Sequence, residues 1–143
     1  MDNGAGGSAI GAFRATLTIP EPFAWTNADA VSDIPRNQAL AVTWSGGNAG
    51  GEVVQIVGAS LDPTWGVVGS FLCTERSTAG TFRVPAAILS ALPVATASTG
   101  SYPSAVLSVS AQPLAATTKF TAPGLDLGCF LYTVEHIRSV QFK

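Results

Sequence analysis

Charge is scarce in this sequence. Asp, Glu, Lys and Arg make up 11% of its 143 residues, less than half of the roughly 25% found in an ordinary soluble domain. Seven Lys and Arg stand against nine Asp and Glu, for a net charge of −2, and the basic residues are scattered. No basic stripe is present to neutralise a phosphate backbone, so nucleic acid is not an expected partner. No apolar run approaches the roughly 18–20 residues that span a bilayer as a helix, so membrane insertion is not expected either. There is one histidine, His136, and no Gly-x-Ser-x-Gly elbow anywhere to serve it. Two cysteines, Cys73 and Cys129, lie far apart and lack Cys-x-x-Cys spacing, which disfavours a metal centre of the zinc type. No cofactor is expected. Met1–Ser8 has neither a basic n-region nor an apolar h-region, so it does not have the form of a signal peptide. It looks like a start placed before a mature or excised segment. Residues 1–11 are expected to be a glycine-rich lead, mobile or extended, ahead of a single domain over 12–143.

What is present is short alternation. Phe13, Ala15, Leu17 and Ile19 alternate with polar neighbours up to Pro20. Leu40, Val42 and Trp44 do the same within Gln38–Trp44, and Glu52–Ala59 is β-branched on both faces, as a central strand would be. Ser45–Gly51, with its run of glycines, separates those two strands and predicts a hairpin turn. The stretch Phe71–Leu92 carries the most local information. Phe71 and Cys73 are in phase, as are Phe82 and Val84, and the polar segment Glu75–Gly80 between them predicts a second hairpin. Pro85 ends that strand, and Ile88, Leu89 and Leu92 have the spacing of a short helix over Ala86–Leu92. Further alternations occur at Ala105–Ala111, at Phe130–Val134 and at Val140–Phe142. Eight or nine short strands at roughly ten-residue spacing predict an all-β, antiparallel β-sandwich with one short helical segment near 86–92. The predicted core is Phe13, Leu17, Leu40, Val42, Trp44, Val54, Ile56, Phe71, Cys73, Phe82, Val84, Leu107, Val109 and Tyr132.

Several segments carry a family likeness. They are Phe23-Ala24-Trp25-Thr26-Asn27, Val42–Gly47, Gly69–Thr74, Ala79–Pro85 and Phe120–Asp126. On these the chain resembles immunoglobulin-like modules of large secreted or cell-surface bacterial proteins, notably of soil Acidobacteria, a family mostly of unknown function. The likeness runs from about Phe13 to Phe142, and its motifs are packing and turn residues rather than chemical ones. It implies an immunoglobulin-like sandwich and an extracellular or cell-surface location.

Chemistry is sparse. A Ser-His-acid triad would have to use His136, which follows Glu135 in what looks like a surface turn. A glycosidase would need two facing carboxylates from among Asp29, Asp33, Glu52, Asp62, Glu75 and Asp126, and no pair is marked out. Asp29 and Asp33 have the ligand type for calcium but not the spacing of an EF-hand loop. Trp65 and Tyr102 sit in turns, where exposed rings would stack on a sugar or anchor a protein; folded back, they would seal the sandwich end. Cys73 and Cys129 are either a disulfide closing a long loop or, more simply, free thiols with Cys73 buried. The expected function is a non-catalytic extracellular structural or adhesive module. Its partners would be other domains of a larger surface protein or further copies, joined by a terminal segment free to extend. A carbohydrate-binding module is the alternative, and a hydrolase the third.

Overall fold

The computed structural model describes residues 1–18, 22–47, 51–61, 66–95, 103–113 and 118–143. In chain order its strands are β1 (Ala24–Trp25), β2 (Asp33–Ile34), β3 (Leu40–Ser45), β4 (Glu52–Leu61), β5 (Val67–Arg76) and β6 (Thr81–Val84). The helix α1 (Ala86–Ser90) follows, then β7 (Ala105–Pro113), β8 (Thr118–Phe120), β9 (Gly128–Phe130), β10 (Val134–Ser139) and β11 (Gln141–Phe142). One layer has the order β1-β3-β6 and the other β10-β7-β4-β5, with every neighbouring pair antiparallel. Lettered A, B, C, C′, E, F and G, the strands β1, β3, β4, β5, β6, β7 and β10 form the layers A-B-E and G-F-C-C′. That is the arrangement of an immunoglobulin-like sandwich.

Alternation along each strand decides what lies between the layers. Trp25, Val42, Trp44 and Val84 face inward from the first, and Val54, Ile56, Cys73, Leu107, Val109 and Ala111 from the second, in one buried cluster. The register keeps them level, with Ile56 opposite both Cys73 and Val109. Leu89 of α1 closes one end. Arg36 Nη1 donates to the carbonyl oxygens of Ser90 (3.3 Å) and Leu92 (2.7 Å), which have no partner further along the helix.

Both predicted hairpins are something else. The chain leaves β3 in one layer and enters β4 in the other, and it leaves β5 and returns to β6 in the first. A glycine-rich turn signals a reversal; it does not say whether the two strands share a sheet. The 77–80 crossover is bonded to the end of β3. Trp44 N–H donates to Gly80 O (2.9 Å) and the Trp44 indole N–H to Ser77 O (2.7 Å). At Gly46, φ is +76° and an added Cβ would stand 1.8 Å from Pro22 O, so only glycine fits there.

Neither terminus is free. Residues 1–15 fold back on themselves through bridges Asp2–Arg14 and Gly6–Gly11, and Met1 and Ala15 exchange hydrogen bonds. Gly11 N–H donates to Pro123 O, and Phe13 stacks on Phe120 with centroids 4.4 Å apart. The expected strand from Phe13 keeps its phase, with Ala15 buried, but makes only isolated bridges; Ile19 and Pro20 lie outside the described residues. At the other end β11 pairs in parallel with β2, and Ala95 and Phe142 bond to each other through both backbone groups. Phe142 is fully buried. The strand expected through Phe130–Val134 is interrupted at 131–133, and His136 belongs to β10 rather than to a turn. Phe13, Leu17 and Tyr132, expected in the core, are only half-buried.

These placements make two substitutions severe. Trp44→Ala and Phe142→Ala each empty a sealed aromatic site, and each should lower the unfolding free energy by about 3–5 kcal/mol, measured by urea denaturation. A small effect for Phe142→Ala alone would mean that β11 is only loosely held.

Candidate functional site

His136 stands on the core-facing side of β10, level with Val109 of β7. Its Nε2 is 3.3 Å from Phe23 O and its ring lies 5.9 Å from the Phe23 ring. A carbonyl only accepts, so this contact is a hydrogen bond only in the form that carries the proton on Nε2. Glu135, its neighbour in sequence, points to the opposite face and accepts a 2.5 Å hydrogen bond from Ser108 Oγ. The two do not form a dyad.

The carboxylates are dispersed in the same way. Asp29 pairs with Arg138 (2.5 Å) and Asp33 with Lys143 (2.6 Å). Each ties an early segment to a late one, and no group of three or more His, Cys, Asp or Glu that could hold a metal is found among the described residues. Glu52 is buried beside Gly47, whose added Cβ would lie 2.8 Å from Oε2. Glu75 is one row away on the core-facing side of β5, because it pairs with Val54. Its Oε1 accepts from Arg76 N–H at 2.8 Å. An open cleft bounded by Ser32, Asp33, Ser139, Val140 and Gln141 holds about 120 Å³, below the roughly 300–1,000 Å³ of small-molecule sites.

Trp65, Tyr102 and Asp62 lie outside the described residues. Trp25 and Trp44 are buried, so neither offers a ring face to a sugar. Trp25 Nε1 donates to Asn27 Oδ1 at 2.9 Å, which also receives Thr43 N–H, while Asn27 Nδ2 donates to Ala41 O. Cys73 and Cys129 are both free thiols, so the disulfide that the sequence allowed is not formed. Cys73 faces the core beside Ile56, and Cys129 is exposed on β9 opposite Lys119. Burial pushes the Cys73 thiol above its ordinary pKa.

The surface that stands out is the outer face of β10-β7-β4-β5. Cross-strand register arranges it in rows: Ile137–Ser108–Val57–Leu72, with Glu135–Ser110–Gln55–Thr74 on one side and Ser139–Val106–Ala59–Ser70 on the other. A shorter row, Gln112–Val53–Arg76, ends it. Glu135 and Arg76 are the only charged side chains in these rows. Ile137 and Leu72 are 61% and 59% exposed. The solvated face of an antiparallel sheet normally alternates to polar residues; here its middle row is apolar at both edges. The sequence reading missed this site. The signal was Leu72, apolar at the outward phase between Phe71 and Cys73, and Ile137 inside an otherwise polar Glu135–Arg138.

Comparison with family models, with curated proteins and with solved structures gave no match. The class is therefore defined by strand order alone.

The two thiols separate cleanly in a labelling experiment. A thiol reagent should modify Cys129 rapidly in the native protein and Cys73 only on unfolding, since the thiolate is the reactive form and Cys73 is both covered and harder to ionise. Equal native rates would contradict the burial of Cys73.

Proposed function

We propose that this chain is a non-catalytic immunoglobulin-like module whose work is structural or adhesive, done by presenting the outer face of β10-β7-β4-β5. One observation carries the reading: a nearly uncharged sheet face with exposed Leu72 and Ile137 in a single row. Large apolar side chains left exposed at both edges of one sheet face are where a partner would gain buried area. Low overall charge and the resemblance to secreted bacterial modules support an extracellular or cell-surface setting. Assembly by a donated terminus loses its support, because both terminal segments are engaged within the chain. Nothing among the described residues favours the carbohydrate reading, which rests on Trp65 and Tyr102.

The test is a broad hydrolase screen on the wild type and on His136→Ala. No turnover above background is expected from either. Robust turnover abolished by His136→Ala would overturn the module reading.

A further inference from the structure

Resting on that reading, we propose that the partner of this face is a second copy of the chain. The two outer faces pack against each other about a two-fold axis parallel to the strands. Such an axis lays β10 of one copy over β5 of the other and keeps the same end of each sheet together. Ile137 then meets Leu72 of the second copy, and by symmetry Leu72 meets its Ile137, because all four belong to one row. The charges match as well. Glu135 and Arg76 lie near the same end of the face on opposite edge strands, so the axis brings each within a row of its opposite in the other copy. A two-fold across the strands would instead set β10 over β10 and Ile137 over Ile137, with Glu135 displaced toward the other end, and would lose the charge match.

The size of the face agrees with a weak dimer. Four strands about 4.8 Å apart and four rows about 6.7 Å apart cover roughly 500 Å². Two copies would bury on the order of 1,000 Å², at the lower edge of specific interfaces. Sheets stacked in this way pack about 10 Å apart with strands crossing at about −30°. Packing at that spacing would also cover the half-buried Val57 and Val106 in the middle of the face.

The test uses the full chain in analytical ultracentrifugation, with Leu72→Glu and Ile137→Lys. Both positions are more than half exposed, so neither change should prevent folding, and circular dichroism verifies this. The wild type should dimerise at about 100 μM, and each variant alone should raise Kd by about tenfold or more. Mixed in equal amounts, the variants should recover a heterodimer. In it Lys at 137 of one chain faces Glu at 72 of the other, and the second contact of the pair remains Leu72 on Ile137. A monomeric wild type at about 0.5 mM, a dimer untouched by Ile137→Lys, or a mixture that stays monomeric would each overturn the proposal. Amide exchange of the wild type gives an independent reading: dilution should release protection over β10 and β5 together. Loss over β5 alone would mean edge pairing and would also overturn it. A monomer leaves the module reading standing, whereas turnover dependent on His136 removes that reading whatever the oligomeric state.

Discussion

Trp44 ties the end of β3 to the crossover between β5 and β6, and the rest of the sandwich depends on that junction. Its backbone N–H and its indole N–H both donate into the 77–80 segment, to Gly80 O and Ser77 O. Those bonds fix where β5 ends and β6 begins relative to the place where β3 ends. With the 77–80 segment held at the end of β3, β6 is placed to pair with β3 in one layer while β4 and β5 pair in the other. The indole is then buried between the layers with its only donor satisfied, which is the condition for a tryptophan to sit in a core at no polar cost. Gly46 completes the junction. Its left-handed backbone and its close approach to Pro22 O bring the segment before β1 against the same end.

Much of the core was legible in the sequence because period two does not depend on partners. Val42, Trp44, Val54, Ile56, Cys73, Val84, Leu107 and Val109 are buried as the alternation predicts. What was not legible was pairing. Phe71–Cys73 and Phe82–Val84 are strands as expected, yet they lie in different sheets, and no local rule distinguishes a hairpin from a crossover of the same length. The C-terminal strand was visible in Val140 and Phe142. Its partner was not, because β2 is only two residues long and its ladder is parallel. Ile34 became core through tertiary placement alone, whereas Leu89 is buried from the short helix whose apolar spacing the sequence shows. Asn27 is a similar case. Its amide gathers Trp25 Nε1, Thr43 N–H and Ala41 O, which explains physically why tryptophan and asparagine stand two residues apart here.

The candidate face escaped for a related reason. Leu72 and Ile137 lie 65 positions apart in sequence (137 − 72), and only the β10-β7-β4-β5 order sets them in one row. The chemical candidates failed for the opposite reason. Glu135 and His136 are adjacent in sequence, and adjacency in a strand sends two side chains to opposite faces. Asp29 and Asp33, near each other in sequence, are each taken up by a different cation from the end of the chain.

The few charges are not spread evenly over the sheet edges, and the difference bears on what kind of contact the protein permits. The six residues of β10 include Glu135, His136 and Arg138. Charged side chains on an edge strand discourage another strand from adding to it. β5 has none from Val67 to Thr74, and Glu75 and Arg76 come only at its end. Its start is irregular, with the register against β4 slipping between Ser60 and Leu61. A bulge there twists the edge and interrupts the regular row of donors and acceptors that a continuous strand pairing would need. Edge addition is therefore hindered by charge at β10 and by shape at one end of β5. The face between these edges has neither obstacle: its register is regular through the Ile137–Leu72 row, whose central side chains, Ser108 and Val57, are small or β-branched. Contact through the face is the form of association that the arrangement leaves least opposed.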